Sequence, residues 1–221
     1  VDSRTAKAAL RDELRRAGVE PSYQSPTLFC VRRDHFALMA NHEYGASAID
    51  AQQVTDATID GRAEIHRIVD ALRRTGGVWS DLRLLATSSH IGVRESRRID
   101  GRYTLTRDDL TRGARFDDAV CRAAFAVDVH SLDPEHADGN TTNEGVETRA
   151  YDIPLRALIA KDVDGLLTAG RCISGDFFAH ASYRVTGNAV AMGEAAGRTA
   201  ARASLGGRLP HEIGIDEIRG G

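Results

Sequence analysis

Two histidines, three arginines and a glycine-rich helix start are the residues of this chain whose types and spacing could do chemistry. His180 lies in the run Asp176-Phe-Phe-Ala-His-Ala-Ser-Tyr-Arg184, and an imidazole that titrates near neutrality can move a proton. The alternative is an exposed loop histidine with no task, and the same choice holds for His90. Arg94, in Ile91-Gly-Val-Arg-Glu-Ser96, can hold an anion or a developing negative charge, or it forms a structural ion pair with Glu95 or a nearby acid. Of the adjacent Arg97 and Arg98, only one would face inward on a strand. Thr186-Gly187-Asn188 opens a helix rich in Ala and Gly. The first amides of a helix lack intrahelical partners and carry partial positive charge, so they can receive an anion or a polarised carbonyl. Self-capping by Thr186 or Asn188 is the competing outcome.

Other chemistries find less support. His42-Glu43 lacks the second histidine of a zinc helix, and no G-x-S-x-G elbow occurs. The cysteines, Cys30, Cys121 and Cys172, are three and far apart, which argues against a disulfide framework or a Cys-only zinc site. A lone Cys172 reads as a small buried hydrophobe. These features make a metal-free protein of a reducing cytoplasm the expectation. The formal net charge of −3 offers no basic footprint for nucleic acid. Basic residues are almost all arginine, with lysine only at Lys7 and Lys161. No run of about 18 apolar residues suggests a membrane span, and no signal peptide precedes the first helix. Asn140-Thr141-Thr142 matches a glycosylation acceptor, but reads as a polar loop.

The elements that position these residues read as mixed α/β. Residues 2–17 form a polar helix stopped by Gly18. Residues 27–41 form two short strands around a charged turn at Arg32–Asp34. Ile65, Ile68, Val69 and Leu72 place residues 55–74 on a helix, stopped by Gly76-Gly77. Leu82–Thr87 is apolar enough for a strand. Thr106-Arg-Asp-Asp109 resembles a capping box. A helix over Asp117–Ala124 and a strand over Phe125–His130 are expected next. Residues 131–149 are polar and turn-rich, the best boundary loop. Tyr151–Ile153 opens a new apolar segment, Pro154 starts a short helix through Leu158, and Leu166–Gly170 reads as a short buried strand. Cys172–Val185 reads as a loop, and residues 186–204 as a helix. Ala189, Gly193 and Gly197 share one face of it, read as close helix–sheet packing. No internal repeat is present.

Two blocks carry a resemblance. The first runs Tyr151-Asp-Ile-Pro154, Leu155-Arg156, Lys161-Asp162-Val163, Leu166-Leu167, Ala169-Gly170-Arg171-Cys172-Ile173-Ser174, then Ala181-Ser182-Tyr-Arg184-Val185 and Ala191-Met192-Gly193-Glu-Ala195-Ala196-Gly197. The second is Ile91–Ile99 followed by Gly101, Tyr103, Leu105-Thr106 and Asp109, with a looser match over residues 55–74. Together they resemble the C-terminal signature of FAD-dependent oxidoreductases, a family distantly similar to the fumarate reductase flavoproteins.

The resemblance implies hydride transfer between a small organic substrate and FAD. It implies that residues 1–150 are the later part of a substrate or cap domain. Residues 151–221 would be the C-terminal segment of a Rossmann-like FAD-binding domain, adding its last parallel strand and final helix. Gly170 and Arg171, with Cys172, would lie against the ribityl and pyrophosphate region. Arg171 departs from the acid that more often follows this glycine, and suits a phosphate better. Val185, Thr186, Gly187, Asn188 and Ala189 would face the isoalloxazine ring, whose N1–C2=O edge becomes negative on reduction. Arg184 would help orient substrate near the ring, or else form a salt bridge where the helix begins.

Such enzymes open on a strand–G-x-G-x-x-G–helix unit that grips the ADP half of FAD. No such motif occurs here. The chain is therefore expected to be a fragment, a subunit completed by a second chain that carries that half, or a relic that no longer binds FAD and serves as a non-catalytic interaction module. An NAD-dependent enzyme of another kind is a third reading, which the missing glycine fingerprint also disfavours.

Overall fold

The computed structural model describes residues 2–130 and 142–219. The Asn140-Thr141 pair and the part of the expected boundary loop before Thr142 lie outside them. The described residues fall into two compact units. One runs from the N-terminus to Val93 and includes His130, and the other contains Arg94–Val129 and the chain from Thr142 onward. The segment from Tyr151 to the C-terminus thus shares a unit with residues 94–129. The class is mixed α/β, with small antiparallel sheets.

In the first unit, α1 (Ser3–Arg16) starts at Asp2, whose carboxylate accepts from the Arg4 and Thr5 amides. It packs Leu14 against Ile68 and Leu72 of α2 (Ala51–Thr75) and against Ala40. Asp50 caps α2 in the same way, accepting from Gln52 and Gln53, which satisfies two of the amides orphaned at a helix start. β1 (Thr27–Arg32) and β2 (His35–Met39) form the expected hairpin. Leu82–Thr87, expected as a strand, is irregular. Leu82 is nonetheless used, packed beside Trp79 on the Leu14 cluster.

In the second unit, α3 (Arg107–Arg112) begins with the expected capping box. The Thr106 amide donates to Asp109 Oδ2 at 2.9 Å. Asp109 is buried and also accepts from the Tyr103 hydroxyl. β3 (Ala119–Ala123) replaces the helix expected over Asp117–Ala124. It pairs antiparallel with β4 (Tyr151–Pro154), setting Cys121 opposite Ile153 and Ala123 opposite Tyr151. That pairing joins segments far apart in sequence, so local propensity did not reveal it. Among the described residues, Phe125–His130 contributes a bridge at Val129 to Thr142 and no strand.

Leu166–Gly170 is not the expected parallel strand. Leu167 makes one antiparallel bridge to Ile159, Leu166 is exposed, and Gly170–Cys172 is a 3-10 turn. The expected loop Cys172–Val185 contains α4 (Phe177–Tyr183), capped by Asp176, which accepts from the Ala179 amide at 2.8 Å. α5 (Thr186–Gly206) and α6 (Ile215–Arg219) follow. Tyr151, Tyr183, Ile173, Leu158 and Met192 fill the main core of this unit, and Leu155, Ala195, Ala203 and Ile213 form a second cluster. No helix among the described residues is long and apolar enough to cross a membrane.

Candidate functional site

Backbone hydrogen bonds bring the two sequence blocks of the resemblance together. The Ile99 amide donates to the Cys172 carbonyl at 3.0 Å, Leu105 to Ser174 at 3.2 Å, and Asp176 back to Leu105 at 2.8 Å. Residues 99–105 are therefore tied at both ends to the Cys172–Asp176 segment, not as a ladder strand but as a clasp. Thr168 Oγ1 also donates to the Cys172 carbonyl at 3.3 Å. The Cys172 side chain is exposed, so it is not the buried hydrophobe its isolation suggested.

Gly170 is buried, with φ of +72°, a backbone conformation L residues rarely adopt. A Cβ built there would stand 3.5 Å from the Ala189 Cβ, in ordinary contact. Conformation, rather than crowding, therefore calls for glycine. The same contact places the turn against the first residues of α5.

The start of α5 is open. Val185 occupies the cap position in extended conformation, and no side chain among the described residues caps the helix. Asn188 Nδ2 instead donates to the Tyr183 carbonyl at 3.4 Å. Thr186 and Gly187 are exposed, and a Cβ on Gly187 would meet nothing within 4 Å. Gly193 and Gly197 also lie in open space, with Val190 beside them 68% exposed. Met192, Ala195, Thr199 and Ala203 bury the opposite face. The expected close packing over the glycine face is absent among the described residues.

His180 is not an exposed loop histidine. It sits in α4 at 1% exposure, and neither ring nitrogen has a hydrogen-bond partner. Its ring meets Tyr183 edge-on, 5.5 Å between centroids, and the Tyr183 hydroxyl is fixed by donation to the Ile173 carbonyl at 2.9 Å. Burial pulls the imidazole down to about 4 from its ordinary 6.5, with Arg98, Arg184 and Arg171 adding to the fall and Glu95 opposing it.

Arg184 follows α4, with its side chain largely buried. Its Nη2 donates to the Asp128 carbonyl at 2.6 Å and lies 3.6 Å from the Asp128 carboxylate. Arg94 approaches the same carboxylate at 3.8 Å. The acid near Arg94 is thus Asp128, while Glu95 pairs with Arg98 at 2.8 Å. Burial, followed by the neighbouring Arg94, lowers the pKa of Arg184, and Asp128 opposes that shift.

Gly170, Arg171, Cys172, His180, Arg184 and Val185–Ala189 all belong to this one neighbourhood of α4, α5 and their preceding turn, with Arg94 tied to it through Asp128. Asp128 and Tyr183 were not among the sequence candidates, whereas Arg98 was named there together with Arg97. The proximity of Arg98 to Glu95 was the one readable signal. His90 is exposed in the other unit, with Nδ1 at 3.0 Å from Ser89 Oγ.

The arrangement defines a class: a positive-φ turn against an uncapped helix start, beside a buried imidazole and paired arginines. Unpaired amides at a helix start can receive an anionic group. Over residues 3–220 the chain matches the family described as FAD dependent oxidoreductase. The chain belongs to that family. No curated protein and no solved structure matches it.

Proposed function

We propose that the chain carries the flavin-facing end of an FAD site and takes part in hydride transfer between a small organic substrate and FAD. The observation that carries this reading is the uncapped start of α5 beside the Gly170 turn, with unpartnered His180 one helix away. These residues fit the cofactor. Thr186, Gly187 and Asn188 offer amides without side-chain caps, and Ala189 and Gly187 present no bulk to exclude a ring. Arg171 supplies a cation for a phosphate.

When bound, FAD supplies the hydride chemistry itself. The chain binds and orients. The start of α5, with its unpaired amides, would hold a polar or negatively charged edge of the ring. Arg184, fixed by Asp128, and Arg94 orient an anionic part of the substrate. His180, neutral at pH 7, accepts or returns a proton at a ring nitrogen. A distant likeness to fumarate reductase flavoproteins belongs to this proposal, as does a cytoplasmic location.

The ADP half of the cofactor is assigned to a G-x-G-x-x-G unit outside these 221 residues, in the same or a second polypeptide. The test is purification with and without a chain carrying such a unit, followed by flavin absorbance and fluorescence. Yellow protein that bleaches on reduction is expected with that chain present. Colourless protein under both conditions contradicts the reading and favours a non-catalytic module.

A further inference from the structure

The hairpin of the first unit is apolar on both faces and covered on neither. β1 and β2 form a sheet of two strands, and among the described residues no third strand joins either edge. The register sets Leu28 opposite Leu38 and Cys30 opposite Phe36 on one face, with Phe29 opposite Ala37 and Thr27 opposite Met39 on the other. Val31 alternates onto the Phe29 face. No residue of either strand is buried. Phe29 is 51% exposed, Phe36 54% and Val31 69%. Between Thr27 and Met39, charge is confined to the turn at Arg32–His35.

Three demands follow. Strands that read as continuous apolar runs suit a sheet with a layer on each face, whereas strands half in water alternate. A lone two-stranded hairpin is only marginally stable in water. Its free edges offer unpaired amides and carbonyls to further strands. The occupant must therefore cover both faces and also pair the edges. With about 200 Å2 for a whole large side chain, the large side chains of each face expose roughly 300 Å2. A second copy presenting the same face would bury only about 600 Å2 in all and leave the other face bare, against about 1,200–2,000 Å2 for a specific interface. Lipid would cover the faces but leave the strand edges unsatisfied. A protein that adds strands to the edges and apolar layers to the faces meets all three demands.

We infer that the hairpin is a docking element for the polypeptide that carries the G-x-G-x-x-G unit, which extends β1 and β2 into a larger sheet and closes over both faces. The choice of that occupant rests on the reading of an FAD site shared with such a unit, itself built of strand and helix layers. The apolar strip with charge only at its tip has the composition of a permanent interface, an apolar centre with a polar rim.

The experiment co-expresses this chain with a tagged chain carrying the G-x-G-x-x-G unit, and follows association, backbone amide exchange and flavin absorbance on the same sample. In the complex, the amides of Thr27–Arg32 and His35–Met39 are expected to exchange at least about tenfold more slowly than in this chain alone. Phe29→Lys combined with Phe36→Lys alters side chains that face solvent in this chain alone, where circular dichroism checks the fold. The pair is expected to weaken association at least about tenfold. Ile59→Lys, at a position 61% exposed on α2, should leave it unchanged. Hairpin amides that exchange as fast in the complex as alone, or a folded double variant that associates like the parent, overturn the inference. So do a failure of the two chains to associate, a dimer of this chain alone with protected hairpin amides, and sedimentation of this chain with phosphatidylserine vesicles. If the double variant does not fold, amide exchange of the parent decides. A complex with a protected hairpin but no flavin colour upholds the docking and counts against the flavin site. A yellow complex with an unprotected hairpin does the reverse.

Discussion

The Arg184 guanidinium is fastened to Asp128 twice, by donation to the backbone carbonyl at 2.6 Å and by approach to the carboxylate at 3.6 Å. Asp128 is 56 positions earlier in sequence, yet it holds the arginine at the end of α4 in place. Asp128→Asn removes the charge but keeps the shape, leaving Arg184 and Arg94 without their shared counter-ion. A loss of about 1–3 kcal/mol is expected, the order for a half-buried charge left unbalanced, read as a lower denaturant midpoint with an unchanged m-value.

His180 makes stability depend on pH. Its folded-state value, about 4, lies below the ordinary 6.5. The unfolded chain therefore takes up a proton that the folded chain refuses. Stability from this group is complete above pH 6.5 and is lost as pH falls from 6.5 towards 4. The full loss amounts to about 3 kcal/mol at 1.36 kcal/mol per pK unit. His180→Gln should flatten this part of the stability–pH curve, measured by denaturant unfolding at a series of pH values.

At neutral pH, His180→Leu should be neutral or stabilising, because it replaces two unsatisfied ring nitrogens with apolar atoms. Leu158→Ala in the same unit removes a fully buried side chain and should cost about 2–5 kcal/mol. Equal destabilisation by the two substitutions would mean that His180 is an ordinary core residue.

The glycines of α5 and of the turns should respond oppositely to alanine. Gly197 is in a helix interior with nothing within 4 Å of an added Cβ. Gly197→Ala should therefore stabilise the protein by up to about 1 kcal/mol. An added Cβ at Gly175 would stand 2.5 Å from the Tyr183 ring, which its bond to Ile173 holds in place. Gly175→Ala should lower the melting temperature.

Much of the first unit was legible because its signals are local. The apolar positions of residues 55–74 recur at helical spacing, and Arg32–Asp34 mark a hairpin. The Thr106–Asp109 box was readable for the same reason. β3 was misread because Ala119–Ala123 becomes a strand only through pairing with Tyr151–Pro154. α4 is seven residues long, too short to show a period, so the burial of His180 was hidden with it. The candidate residues near Gly170 and Thr186 were named from glycine-rich strings. The partnership of Arg184 with Asp128 was not, since nothing in either segment announces the other.

The proposed flavin site is tested most directly by amide NMR of the isotopically labelled chain, together with a chain carrying the G-x-G-x-x-G unit, during titration with FAD, alongside Gly187→Leu. That substitution enters open space and should leave the fold intact while obstructing a ring at the start of α5. The account predicts that in the parent the largest shifts fall on the amides of Gly170–Cys172 and Thr186–Ala189, and that Gly187→Leu abolishes them. Shifts that spare those amides, or that persist unchanged in Gly187→Leu, would contradict it.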